Sequence, residues 1–201
     1  MTDSTPHELG TRDKILHAAM MMFGEDPGSR LSVRAVAARA GVSTGSLRHH
    51  FPTQRALQET VLTRIYDLVI PDDRIHDVSV PARERLVDCL RRVLGPAQTG
   101  QEARSAFMNM AESFIEPEPT ADTRAAYRAI ERESERRVEY WLTVLTKEGA
   151  LAEGDLGQQA RFLLTVVNGL SLERVMPADD SLLARETATL QLAVDSVLAT
   201  D

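Results

Sequence analysis

Between Pro27 and Gln58 the chain places five arginines, Arg30, Arg34, Arg39, Arg48 and Arg55, and not one Asp or Glu. Guanidinium groups with no carboxylate nearby draw a polyanion such as nucleic acid. The remainder of the chain would repel one. The 201 residues carry a net charge of −7. Residues 1–64 hold eight Lys+Arg against six Asp+Glu, whereas residues 65–201 hold fifteen against twenty-four. Within the basic window, Ser32 to Phe51 reads SVRAVAARAGVSTGSLRHHF. Two short helical patterns meet there at Ala40-Gly41-Val42-Ser43, the turn of a helix-turn-helix. Ala37 and Gly41 are small where the helices approach, and Val36, Val42 and Leu47 are apolar where they pack. The second helix turns outward Thr44, Gly45, Ser46, Arg48 and His49, which are short or hydrogen-bonding. Thr44 offers a hydroxyl to a helix cap or a phosphate, and Gly45 lets the backbone come close to DNA.

Other chemistries find little to work with. There is no Gly-rich phosphate loop, no His-Glu-x-x-His and no Gly-x-Ser-x-Gly, so an enzyme is not expected. His49 and His50 are adjacent and point about 100° apart on a helix, a poor arrangement for one metal ion. Beyond them the only histidine is His76. The single Cys89 sits beside Leu86, Leu90 and Val93 and reads as a buried thiol, and no disulfide or multi-cysteine metal site can form. No cofactor and no metal are expected. Hydrophobic residues make up 43% and charged residues 26%, a globular composition. No apolar run suits a membrane span and the start is polar, so a soluble, cytoplasmic protein is expected.

The elements that must position these residues are all helical, since period 3.6 recurs and no period-2 run stands out. The expected helices are about nine. The first is capped by Thr11 and carries Ile15, Ala18, Ala19, Met22 and Phe23 inward, with Met20-Met21-Met22 as core and shoulder. Ser32 caps the second and Gly41 ends it; Ser43 or Thr44 caps the third, which runs through His50. The fourth spans about 54–70. Pro71 to Pro81 reads as a linker, with Ser79 as a cap. Five more helices follow at about 81–94, 101–115, 120–148, 156–176 and 180–199. The fold class is therefore all-α. The expected domains are a flexible start over 1–10, a helix-turn-helix unit over 11–55 and a helical ligand-binding and dimerisation domain over 56–201, with helix 54–70 joining the two.

The chain resembles the TetR-type, or tetracycline-repressor-like, transcriptional regulators. Ile15-Leu16-Ala18-Ala19-Phe23, Val36-Ala37-Ala40-Gly41-Val42-Ser43, Gly45-Ser46-Leu47 and Phe51-Pro52 carry the likeness, which is strong over residues 12–62. It implies a dimeric regulator of a double-stranded DNA operator, responsive to a small molecule. It also implies DNA contacts from Arg34 in the first turn of helix two, from Ser43 at the turn, and from positions 48 and 54. The family usually has Tyr at the first of these last two and Lys at the second; here they are Arg48 and Gln54. Arg48 can hold a phosphate or reach a guanine edge, while Gln54 brings no charge.

In the second half every aromatic after Tyr66 falls in three helices. Phe107, Met108, Met110 and Phe114, then Tyr127, Trp141 and Leu145, then Phe162 and Val166 suit an adaptable apolar pocket, or simply a filled core. The run Glu131 to Arg137 reads as a solvated helix face. Leu183, Leu190, Val194 and Val197 at near-heptad spacing, with Gly169 where helices could approach closely, suggest a four-helix homodimer interface. The function expected is a ligand-responsive repressor that binds a palindromic operator as a dimer. The alternative is a helical ligand-binding or interaction protein that keeps a degenerate helix-turn-helix.

Overall fold

The computed structural model describes residues 10–28, 31–69, 72–94, 99–116, 118–151, 154–177 and 181–198. Among them nine α-helices follow in order: α1 Thr11–Glu25, α2 Val33–Ala40, α3 Thr44–His50, α4 Gln54–Val69, α5 Ala82–Leu94, α6 Gln101–Phe114, α7 Ala121–Lys147, α8 Leu156–Val175 and α9 Leu182–Asp195. The all-α expectation holds, and among the described residues the only extended pairing is one bridge between Leu151 and Leu198. No described helix is long and apolar enough to cross a membrane.

Two apolar clusters share no residue. The first gathers Ile15, Leu16 and Ala19 of α1, Val36 and Ala37 of α2, Leu47 of α3, Phe51, and Leu57 and Val61 of α4. The second gathers Leu86 and Leu90 of α5, Trp141, Leu142 and Leu145 of α7, Leu163 and Val167 of α8, and Leu190 and Val194 of α9. α4 gives its first half to the first cluster, and near its far end Asp67 pairs with Arg137 of α7 at 2.5 Å. Cys89 is fully buried, as its neighbours suggested.

Several local expectations need correction. Thr11 is the first residue of α1 and not its cap; Gly10 precedes it and gives no side-chain bond. Ser79 does not cap α5, because its hydroxyl is turned to the Asp77 carboxylate. The Pro71–Pro81 segment is more than a linker. Asp72–His76 forms a 3-10 helix. Ile75 is fully buried, and its carbonyl accepts from the Arg85 guanidinium, which also holds Glu148 at 2.5 and 3.1 Å. The run Glu131 to Arg137 is not wholly solvated. Glu133 and Arg137 are buried at 8% and 3% exposure, in step with Trp141 one turn further on. α8 ends at Val175, close to the expected limit, whereas α9 ends at Asp195, four residues before it; caps at Thr120 and Asp155 start α7 and α8 through bonds from Thr123 N and Gln158 N.

Candidate nucleic-acid interface

Ser32 accepts a hydrogen bond from Ala35 N at 3.1 Å and so fixes the start of α2. Gly41 stops it with φ at +66°, a left-handed conformation that a side chain would strain. Val42 N then donates to Ala37 O at 3.0 Å. The chain re-enters a helix at once, because Ser43 accepts from Ser46 N at 3.0 Å. Ser43 is therefore the cap of the recognition helix, and Thr44 is its first residue. The inner side of the motif is closed by Val36, Ala37 and Leu47, all at 0–1% exposure. Phe51 plugs the end of α3, with the Arg12 guanidinium 5.5 Å above its ring. Thr53 caps the next turn by accepting from Ala56 N at 3.0 Å, which makes Gln54 the first, half-buried residue of α4.

This packing divides the arginines by role. Arg39 reaches back to Glu25 at the end of α1 with two bonds of 2.5 and 2.6 Å. Arg55 is taken by Glu59 one turn away at 2.7 Å. Arg30 lies outside the described residues. Arg34 at the start of α2 and Arg48 on α3 are exposed. Thr44, Gly45 and His49 are exposed beside Arg48, Ser46 is half-buried, and the rings of His49 and His50 meet edge to face at 5.3 Å. The result is a surface with two presented guanidinium groups and short polar side chains between them. Such a face suits phosphate and base-edge contacts.

The comparisons with known proteins agree with this geometry. Residues 15–61 match the family model described as bacterial regulatory proteins, tetR family. Over those residues the chain is similar to the TetR-type regulators. It is 26% identical over 86 residues to the nucleoid occlusion factor SlmA of Shewanella denitrificans, a stretch that is 43% of this chain and 43% of that protein. A TetR family transcriptional regulator from Pseudomonas syringae pv. tomato superposes with a TM-score of 0.53 at 20% identity, covering 94% of this chain and 97% of that one. The flavonoid-responsive regulator FrrA superposes with a TM-score of 0.54 at 22% identity, covering 95% and 98%. These structural likenesses concern the fold. The TetR-type match lies on the helix-turn-helix unit, over residues 15–61.

The expected effector pocket is not assembled as one space. Trp141 and Leu145 are fully buried in the second cluster, while Phe107, Met108, Met110, Tyr127 and Phe162 are 37–49% exposed. Phe114 and Val166 are half-buried between them, and Phe114 meets Tyr127 edge to face at 5.6 Å. The nine residues therefore separate into two that are fully buried and seven that are half-buried or exposed. Two open concavities, one lined by Lys14, His17 and Met21 and one by Gln101 and Ser105, lie away from these nine residues. The expected interface stripe is likewise out of phase. Leu190, Val194 and Val197 are 0–5% exposed inside the chain's own core, whereas Leu183 is 58% exposed at the helix start. Gly169 is exposed, and a Cβ there would meet no atom within 4 Å.

Sequence reasoning missed Asp67 and Arg137, which join α4 to α7. The signal was present in the spacing of Glu133, Arg137 and Trp141, but charge made that stripe look solvated.

Proposed function

We propose that the chain is a cytoplasmic, ligand-responsive repressor that binds a palindromic operator as a homodimer. The observation that carries this reading is the face of α2 and α3. There Arg39 and Arg55 are consumed by internal ion pairs while Arg34 and Arg48 are presented among acid-free polar side chains. Arg34, Thr44, Gly45, Ser46, Arg48 and His49 form the contact set, with Ser43 acting through the cap and Gln54 at the edge. A twofold dimer would set two such faces on one side of a duplex.

The partner surface is the outer side of α8 and α9. Phe162, Gly169 and Leu172 share one exposed face of α8, Met176 is exposed just after its end, and Leu192, 72% exposed, stands on the outer face of α9. These residues replace Leu190, Val194 and Val197 as the subunit contact. The effector is a small, largely apolar molecule that settles against Phe107, Met110, Phe114 and Tyr127, outside the closed Trp141 core. The fold neighbour described as flavonoid-responsive is in keeping with such a ligand. To release DNA it must favour the DNA-free arrangement, since equal binding to both would shift nothing.

The test is a DNA titration over a range of salt. The logarithm of affinity should fall linearly with the logarithm of salt, by about 0.9 per neutralised phosphate. Arg48→Ala should cost about 1–3 kcal/mol if the guanidinium reads a base edge. Salt-independent binding, or Arg48→Ala binding as the wild type does, would remove this face as the reader. Compounds that raise the thermal midpoint are then added to the bound complex, and an effector is one that lowers DNA affinity.

A further inference from the structure

The turn after α1 is drawn tight. Asp26 N donates to Met22 O at 3.1 Å, and the Asp26 carboxylate accepts from Gly28 N at 3.1 Å across Pro27. This turn sets Gly28 against the last turn of α6, an element of the other half of the molecule. A Cβ on Gly28 would lie 2.7 Å from the Ser113 carbonyl oxygen, 3.1 Å from Ser113 Cβ and 3.3 Å from the Ser113 carbonyl carbon. The obstacle is helix backbone, which cannot swing aside as a long side chain would. Ser113 also stands four residues before Pro117. Proline has no N–H, so the usual i+4 donor to the Ser113 carbonyl does not exist. At this spot a helix-end carbonyl is approached by a residue that presents only hydrogen.

Among the described residues, two separated places join the helix-turn-helix unit to the rest of the chain. One is α4, tied to α7 by Asp67 and Arg137. The other is Gly28 on α6. A single attachment lets a unit swing, and a second one fixes its angle. We propose that Gly28 is a positioning residue: its contact with Ser113 sets the angle of the reading unit on α6, and so controls operator affinity without touching DNA. The proposal rests on the DNA-binding reading above. In a dimer, any rotation of one unit is matched by its partner, so a small wedge at residue 28 changes the separation of two recognition helices that must fit successive grooves.

The experiment uses the full chain and a DNA fragment enriched by the wild type from a random pool. Gly28→Ala wedges the contact from the turn, and Ser113→Phe wedges it from α6. Gly24→Ala is the control, since a Cβ at Gly24 meets nothing within 4 Å. Both wedge variants should lose roughly 5- to 150-fold in affinity for the enriched fragment, the usual span of coupling between distant sites. Their affinity for unrelated DNA and their thermal midpoints should stay near wild type, whereas general unfolding would lower both. Gly24→Ala should bind as the wild type does. If Gly28→Ala does not fold, Ser113→Phe decides. Wild-type affinity for the enriched fragment in the folded wedge variants overturns the positioning role alone. A wild-type chain that enriches no sequence overturns both the role and the DNA-binding reading beneath it.

Discussion

In the helix-turn-helix unit, the side chains that fix the backbone sit three residues from the groups they bond: Ser32 with Ala35, Ser43 with Ser46, Thr53 with Ala56. In the C-terminal half the polar side chains that fix the packing reach much further along the chain. Arg174 holds Glu186 and the Leu94 carbonyl, Arg85 holds Glu148 and the Ile75 carbonyl, and Arg137 holds Asp67. The first unit is assembled from neighbours and keeps its arginines for the surface. The second buries Arg85, Arg137 and Arg174, which pin helices together. Arg34 and Arg48, proposed above to meet DNA, are exposed, whereas Arg85, Arg137 and Arg174 are buried and join helices.

The strongest way to break this contrast is at Arg174. It and Glu186 are 7% and 2% exposed, with bonds of 2.7 and 2.9 Å. Arg174→Met leaves the Glu186 carboxylate buried without its cation, which typically costs about 3–5 kcal/mol. Arg174→Met with Glu186→Leu removes both charges and should recover most of that loss. Denaturant unfolding of the three chains measures it. If the single variant is as stable as the wild type, the pair does not pin α8 to α9.

The next test compares two leucines two positions apart on α9. Leu190 is fully buried and Leu192 is 72% exposed. Leu190→Asp places a charge in the core and should unfold the C-terminal half, or leave it aggregated, at a cost of several kcal/mol. Leu192→Asp should leave each chain folded and shift sedimentation from dimer to monomer. A Leu192→Asp chain that stays fully dimeric would remove the outer face of α9 from the interface.

The same contrast explains what could be read in the residues beforehand. Ser32, Gly41 and Ser43 were legible because a cap or a left-handed stop is decided within four residues. The outward placement of Thr44, Gly45, Arg48 and His49 followed, since α3 is short and its one buried side chain, Leu47, fixes which way the helix faces. The phase of α9 was not legible. The expected stripe of Leu183, Leu190, Val194 and Val197 and the buried set within the helix, Leu182, Glu186, Leu190, Ala193 and Val194, share only Leu190 and Val194, and the buried set includes a glutamate. A glutamate is placed inside by an arginine twelve residues away, which no local pattern announces. Arg137 escaped for the same reason, with its partner seventy residues earlier. The apolar side chains of α6 to α8 failed differently. Phe107 and Trp141 are equally apolar, yet one is 37% exposed and the other fully buried, and their composition alone holds no sign of that.

Within the helix-turn-helix unit the Ser43 cap sharpens the contrast at smaller cost. Ser43→Ala removes the acceptor for Ser46 N and should destabilise by about 1 kcal/mol, the ordinary value of a helix cap. Because α3 is only seven residues long, the loss falls on the helix that presents Arg48. Unfolding and DNA titration should both move, with Ser43→Asp restoring the cap but repelling phosphate. The aspartate variant should therefore regain stability without regaining DNA affinity. Recovery of both together would mean that position 43 lies away from the DNA.

The smallest expected effect is the exposed pair between Glu25 and Arg39, which links α1 to α2. The hydrogen bonds from Arg39 hold the Glu25 carboxyl below its ordinary value of 4.5, more than the partial loss of water raises it, and the charge of Arg39 adds to the lowering. A carboxyl depressed in the folded state adds stability that is fully present above pH 4.5 and is lost as the pH falls through the lower folded value. Both partners are well exposed, at 57% and 40% of the side chain, so solvent screens most of the attraction and neutral-pH stability should scarcely change when the pair is broken. Glu25→Gln should accordingly melt as the wild type does at pH 7 and show a shallower loss of stability below pH 4.5. A carboxyl titration followed by NMR locates the effect: Glu25 should titrate below 4.5 in the wild type and return toward it in Arg39→Gln. A Glu25 that titrates at its ordinary value in both chains would show that Arg39 is not held by α1. That arginine would then join Arg34 and Arg48 on the face offered to DNA, and the division of arginines between construction and recognition would have to be redrawn within the helix-turn-helix unit itself.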